Sequence, residues 1–232
     1  MASRLIATLA GLMLCGCTAA RMALPPDVAQ ASEELPITDR SSWSGALADE
    51  SFGLGPYKVT DVDRKWNSSQ SNSIFGVDRS KTSGGYAFKV ASGSENGAAL
   101  AGNCATENRE KSSSLGGGWE FSSMIAKLGC TCSDSSGSAN VVLQASTTDR
   151  YEGTLTSASS EYHVLAINER DGGGASHDPT GYRVDASSAP LGAVDVMGKG
   201  RVWLSKTLEG RARDDMACLF AGLLLYQPPK DR

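Results

Sequence analysis

The stretch RDDMACLFAGLLLY, residues 213–226, does most to decide the fold. Every residue after Asp215 is apolar or small, and Pro228 and Pro229 follow soon after the stretch ends. We predict a helix that these prolines stop, with Asp214 and Asp215 in its first turn, where the helix dipole favours negative charge. A helix that is apolar all round must be buried on every side. At about 11 apolar residues it is too short to cross a bilayer.

The chain upstream of this helix consists of short apolar segments broken by Gly, Ser, Asn and Asp. In YAFKV, residues 86–90, the two aromatic residues and Val lie on one face of an extended chain. Many short strands at this spacing favour an antiparallel sandwich or barrel. We therefore predict a mainly β fold, an antiparallel sandwich or barrel with one buried hydrophobic C-terminal helix. The predicted strands are 55–62, 73–77, 86–91, 98–104, 119–128, 140–145, 151–156, 162–169, 182–186, 193–197 and 201–204.

The apolar helix has two alternative positions, inside the β domain as a plug or against another chain. Its cysteine, Cys218, needs a partner and favours the plug. The segment that runs from GYRV at 181–184 through GKGRVWL at 198–204 to the apolar helix resembles the end of a tubby-like domain. This resemblance covers about a quarter of the chain. It implies a β-barrel filled by the C-terminal helix, and the binding of membrane phospholipids, as in the eukaryotic members of that family.

We predict that the N-terminal residues are a signal segment. One basic residue, Arg4, precedes a short apolar run that ends in LCGC, residues 14–17. LCGC resembles the Leu-x-Gly/Ala-Cys box of bacterial lipoprotein precursors. The resemblance implies cleavage between Gly16 and Cys17 and attachment of lipid to Cys17. By the same resemblance, Thr18 favours the outer membrane, where the domain would face the periplasm.

An ordinary signal peptide cut after Ala19 or Ala20 is the alternative, and it would leave a soluble periplasmic protein. On the lipoprotein reading, residues 1–16 are the signal peptide. Residues 17–48 are a flexible tether, because their prolines and small or acidic residues show neither a helical nor a strand period. Residues 49–229 are then a disulfide-linked β domain with the C-terminal helix.

Four cysteines lie beyond the signal segment, Cys104, Cys130, Cys132 and Cys218. In an oxidising compartment an even number predicts disulfide bonds. Cys130 and Cys132 lie on the same face of a strand, so we expect each to meet a different partner, one Cys104 and the other Cys218. Free thiols and a four-cysteine zinc centre are the alternatives, but Cys-x-Cys is closer than the usual zinc spacing. We predict neither a metal nor a cofactor.

The charge balance bears on the partners. The chain has 22 basic and 26 acidic residues, a formal net charge of −4. An acidic chain without an evident basic cluster argues against nucleic acid as a partner. The partners we predict are the membrane, through the N-terminal lipid, and as a second candidate another protein of the envelope.

Signs of catalysis are weak. There is no Gly-x-Ser-x-Gly elbow. The two histidines are His163, on a predicted strand, and His177, in a glycine-rich loop beside Asp178. Asp61 and Asp63 could bind calcium, but this ion needs six to eight oxygens. We assign no catalytic residue.

The leading functional hypothesis is a membrane-anchored envelope lipoprotein with a non-catalytic binding or structural role. One alternative is a carrier of a lipid or other apolar ligand, which needs a cavity around the C-terminal helix. The other is an envelope hydrolase without a recognisable motif, which needs His177 and Asp178 in a deep pocket.

Overall fold

The computed structural model describes residues 20–40, 50–74, 77–93, 99–115, 119–146, 149–157, 160–187 and 189–226 of the 232-residue chain. These residues form two helices and a single antiparallel sheet. The elements are α1 (Pro26–Ala31), β1 (Ser32–Leu35), β2 (Ile37–Thr38), β3 (Glu50–Leu54), β4 (Tyr57–Ile74), β5 (Val77–Ser92), β6 (Leu100–Leu115), β7 (Trp119–Asp134), β8 (Gly137–Ser146), β9 (Asp149–Ser157), β10 (Ser160–Ile167), β11 (Gly181–Ala186), β12 (Ala189–Asp195), β13 (Arg201–Ser205) and α2 (Gly210–Leu225).

The sheet is a nearly closed barrel. From β3 to β13 each strand pairs with the next in sequence, which is the pattern of consecutive hairpins. The two edges are joined by one stretch of chain, since β1 pairs with β13 and β2 pairs with β3. Only Pro36 separates β1 from β2. The mainly β fold with one buried C-terminal helix, predicted from the sequence, is confirmed.

Part of the segment expected to be a tether belongs to the folded domain. Residues 26–38 form α1, β1 and β2, and the side chains of Met22 and Val28 are buried. Proline misled the sequence interpretation here. Pro26 occupies the first position of α1, where a helix tolerates it, and Pro36 lies between two strands rather than within one.

Helix α2 fills the barrel. Residues 215–225 are all buried, and the helix contacts β5, β6, β7, β8, β12 and β13. The strands turn alternate side chains toward it: Val141 and Leu143 are fully buried, whereas Val142 between them is 56% exposed. The helix therefore lies inside the barrel as a plug and does not form an interface with another chain. This position explains why a helix without a polar face is stable here.

Two arginines satisfy the C-terminal end of α2. The last carbonyls of a helix have no partner within the helix. Arg40 donates a hydrogen bond to the Leu224 carbonyl (2.6 Å), and Arg64 on β4 donates one to the Leu225 carbonyl (2.8 Å). Glu50 accepts a hydrogen bond from Arg64 at 2.8 Å and neutralises part of this buried charge. Positive charge at this end also complements the helix dipole.

The N-terminal end of α2 is held by Arg211, which contacts two carboxylates. Its guanidinium lies 2.7 Å from Asp134 on the β7–β8 hairpin and 2.6 Å from Asp215. The Ser157 hydroxyl donates a second hydrogen bond to Asp215, at 2.6 Å. The helix begins at Gly210, earlier than predicted. Asp215 therefore lies in its second turn, where it pairs with Arg211 instead of acting through the dipole.

Two disulfide bonds tie these elements together. Cys104 on β6 and Cys130 on β7 lie directly opposite each other, with sulfurs 2.04 Å apart. Cys132, two residues further along β7, bonds to Cys218 on α2 at 2.08 Å. Each member of the Cys-x-Cys pair thus has a different partner, and the second bond joins the barrel wall to the plug.

Candidate binding surface on the projecting strands

The residues predicted to carry the lipid anchor, Gly16 and Cys17, lie outside the described part of the chain. Within residues 20–226, as far as they are described, no helix has both the length and the apolar character needed to span a bilayer.

The histidine–aspartate pair lies in solvent. The Nδ1 of His177 is 3.7 Å from the Oδ1 of Asp178, and the two side chains are 87% and 74% exposed. The glycines at 172–174 all have positive φ, which gives the loop a path that other residues rarely adopt. The other histidine, His163, is an exposed residue of β10. The structure does not bring these groups into a deep pocket, which the hydrolase hypothesis requires.

Asp61, one of the two aspartates considered for calcium, has a different partner. Asp61 forms an exposed ion pair with Lys89 at 2.9 Å, at a bulge where β4 shifts register against β5. Among the described residues, no three His, Cys, Asp or Glu side chains are grouped so that they could hold a metal ion.

The barrel interior offers little room for a carried ligand at the place where one was expected. Apolar side chains of α2, including Leu219, Phe220 and Leu223, are fully buried against the strands. Gly222 lies so close to the wall that a Cβ at this position would be 3.1 Å from the Cys104 sulfur. The helix therefore occupies the space that an apolar ligand would need.

The four longest strands extend beyond the rest of the barrel. β4 has 18 residues, and β5, β6 and β7 have 16 each. Among the described strands, β3 pairs with β4 only as far as Val62, and β8 pairs with β7 only as far as Ile125. Past these points the four strands pair only with one another among the residues that the structure describes. We call this part the projecting sheet, residues 68–74, 77–83, 107–115 and 119–125.

The outer face of the projecting sheet is strongly basic. Arg79 on β5 is directly opposite Lys111 on β6, and Lys81 is directly opposite Arg109. Residues two apart on a strand share a face, so all four cations lie together; we call them the basic face. It is the outer face, because Ile125, opposite Arg109, is 43% exposed.

Like charges directly opposite each other destabilise a sheet. Of the two cation pairs, only Lys81 and Arg109 have a carboxylate between them that offsets their repulsion. Glu107 lies 2.8 Å from the Lys81 ammonium and 2.6 Å from the Arg109 guanidinium. Hydrogen bonds from Lys81 and Arg109 lower the pKa of Glu107, which keeps it ionised. Arg79 and Lys111 have no acidic partner among the described residues.

The basic face lines a hollow of about 640 Å³, a volume typical of ligand sites. Neutral hydrogen-bonding groups flank the cations, the amides of Gln70 and Asn72 on β4 and the hydroxyl of Ser123 on β7. Ile125 contributes an apolar side chain. The arrangement can hold an anion at its centre and donate hydrogen bonds at its sides.

Sequence reasoning missed this surface. The signal is a pair of Arg-x-Lys triplets, RSK at 79–81 and REK at 109–111. They are far apart in sequence, and only the antiparallel register of β5 and β6 aligns them. The chain as a whole is acidic, which hid a local excess of positive charge.

Comparisons with known proteins identify no relative. No protein-family description, no curated protein and no solved structure matches this chain significantly. The resemblance to tubby-like domains therefore remains a prediction.

Proposed function

We propose that this protein is a lipid-anchored protein of the bacterial cell envelope with a non-catalytic binding role. In this proposal, Cys17 carries the lipid, the domain faces the periplasm from the outer membrane, and the plugged barrel is a rigid support. The basic face on the projecting sheet is the binding surface, and its ligand is anionic.

The observation that carries the binding role is the unrelieved pair of cations Arg79 and Lys111. Two cations opposite each other on a strand pair lower stability. A cost of this kind, placed in a hollow and outside the core, is typical of a functional site. An anion bound between the two side chains would remove the repulsion and gain charge-assisted hydrogen bonds.

The other two hypotheses receive less support. A carrier needs an internal cavity, and α2 occupies the interior. A hydrolase needs an enclosed catalytic group, and His177 and Asp178 are exposed. Neither has an observation in its favour comparable to the basic face.

Labelling with radioactive palmitate in the native type of host tests the anchor. We expect label on the wild-type protein and none on Cys17→Ala, since the lipid is attached through this sulfur. Cys15→Ala is the matched control, because Cys15 is removed with the signal peptide and its loss should leave labelling unchanged. An unlabelled wild-type protein, or label on Cys17→Ala, would refute the anchor.

Chromatography of the full-length chain in detergent on phosphocellulose tests the binding surface. The net charge of −4 would repel an evenly charged protein from this matrix, but a clustered basic face should retain it at low salt. Arg79→Ser/Lys111→Ser should elute at much lower salt. Lys58→Ser/Lys206→Ser removes the same charge elsewhere and should elute like the wild type; equal losses in both variants would contradict the proposal.

A further inference from the structure

We infer that the ligand of the basic face is an acidic oligosaccharide, a chain of sugars that bears carboxylate or phosphate groups. The inference rests on the proposed function and adds the chemical class of the ligand. It follows from the arrangement of charged and neutral groups in the hollow, the size of the hollow, and the kinds of side chain that its described lining lacks.

The charged groups lie in the middle of the surface, and the neutral groups lie on both sides. Cross-strand neighbours are about 5 Å apart and same-face residues along a strand about 7 Å apart, so the four cations form a small rectangle. Gln70 and Asn72 border it on β4, and Ser123 borders it on β7. A ligand that fits must carry negative charge at its centre and hydroxyl groups around it.

An acidic sugar chain meets these requirements. Its carboxylates or phosphates accept hydrogen bonds from Arg79 and Lys111, and arginine can bind such a group with two parallel hydrogen bonds. Its hydroxyl groups both donate and accept, which suits the amides of Gln70 and Asn72. A single inorganic phosphate would occupy only one corner of a hollow of about 640 Å³.

Three other anionic ligands fit less well. A bilayer surface is flat and does not follow a hollow, and among the described residues of the lining Ile125 is the one large apolar side chain that could insert into lipid. Single-stranded nucleic acid binds through aromatic side chains on which bases stack, and the described residues that line the hollow include none. An acidic peptide can bind an arginine cluster through its carboxylates, but its apolar side chains would meet only Ile125 among the described residues of the lining.

Isothermal titration of the full-length chain in detergent with tetragalacturonate and with maltotetraose tests the inference. The two probes have the same number of sugars, but only the first is charged. We expect tetragalacturonate to bind and maltotetraose to bind at least tenfold more weakly. Equal binding of both, or of neither, would overturn the inference, as would inorganic phosphate, a single-stranded oligonucleotide or anionic lipid vesicles that bind as tightly as tetragalacturonate.

Two variants connect the binding to these residues. Arg79→Ser/Lys111→Ser and Lys111→Glu should each weaken the binding of tetragalacturonate about tenfold or more, since charged hydrogen bonds are lost. Lys58→Ser/Lys206→Ser should bind like the wild type. Unchanged affinity in the basic-face variants would overturn the inference. If phosphocellulose retention depends on the basic face but tetragalacturonate does not bind, the proposed function stands and the sugar ligand is wrong; if retention does not depend on it, the proposed function fails.

Discussion

Phe88 packs in a narrow space of the core, between the barrel wall and the plug. A Cβ placed on Gly102 of β6 would lie 2.2 Å from the Cζ of the Phe88 ring, and one on Gly222 of α2 would lie 3.4 Å from the same atom. The ring therefore has no room to move toward the helix when the wall gains a methyl group. Both glycines are needed for close approach, not for an unusual backbone angle.

Gly102→Ala should lower the free energy of unfolding by about 1–3 kcal/mol, the usual cost of overpacking. Gly129→Ala is the matched control on the next strand, because a Cβ there would meet only the Val141 carbonyl oxygen at 3.9 Å. Urea denaturation of both variants would measure the difference. Equal stability of the two would show that Phe88 has more room than the structure gives it.

Lys111→Glu should raise stability while it removes binding. It would replace a repulsive pair with an attractive one opposite Arg79, a gain of about 0.2–1 kcal/mol. The urea midpoint of this variant should be equal to or above that of the wild type. A lower midpoint would mean that Lys111 stabilises the fold, and its assignment to a binding surface would lose its main support.

Asp134 makes stability depend on pH in the acid range. Hydrogen bonds from Arg211 and Ser136 hold the pKa of Asp134 well below its ordinary value near 3.8. Because the folded-state pKa is depressed, the stability that Asp134 adds is present above about pH 4 and is lost as the pH falls toward the folded-state value. Between pH 4 and pH 2, the melting temperature of Asp134→Asn should fall less steeply than that of the wild type. Asp178→Asn, an exposed carboxylate that pairs with no described arginine, is the charge-matched control, and a wild-type slope in Asp134→Asn would contradict the expectation.

At the scale of the elements, the two disulfide bonds contribute unequally. Cys104–Cys130 closes a loop with a sequence separation of 26, and Cys132–Cys218 closes one of 86. On the chain-entropy model these loops correspond to about 3.5 and about 4.5 kcal/mol.

Cys132→Ser/Cys218→Ser should therefore destabilise the protein more than Cys104→Ser/Cys130→Ser, by about 1 kcal/mol. This double variant also removes the one covalent bond that joins α2 to the barrel wall among the described residues. Urea denaturation without reductant would compare the two double variants. The reverse order of stability would mean that α2 owes little to its disulfide bond.

The elements with strong apolar patterns were predictable, and the polar ones were not. The uninterrupted apolar run of α2 predicted that the helix is buried. Segments with a period of two, such as residues 86–90, predicted strands of the barrel. The outer halves of β4, β5 and β6 consist largely of Ser, Asn and charged residues, so no hydrophobic period marks them, whereas the segment 119–128 of β7 was predicted as a strand. The apolar run at 73–77 was predicted as one strand, but β4 ends at Ile74 and β5 begins at Val77.

The candidate site was harder to predict than the fold because it depends on register. The cysteine pairing followed from which residues share a strand face, which is local information. The basic face depends on Arg79 lying opposite Lys111, and a shift of one residue would place the two side chains on different faces. Nothing in the sequence fixes the length of the hairpin that sets this register.

At the scale of the whole molecule, the position of the plug bears on that of the proposed binding surface. Because α2 fills the interior, the proposed ligand would have to bind outside the barrel, and the projecting sheet provides an exposed surface with a hollow. The N-terminal segment closes the barrel through β1 and β2, so any anchor upstream of residue 20 leads directly into the sheet. The domain is therefore expected to move as one rigid body with its binding surface.

The central claim is that the C-terminal helix lies inside the barrel, bonded to β7. Two single variants test it most directly, with N-ethylmaleimide labelling in urea at acidic pH, because these thiols are buried in the folded protein and acid prevents disulfide exchange, and with mass spectrometry to identify the labelled peptide. Cys132→Ser should expose the thiol of Cys218, and Cys130→Ser should expose that of Cys104. Label on Cys104 in Cys132→Ser, and on Cys218 in Cys130→Ser, would place the helix differently and contradict the account.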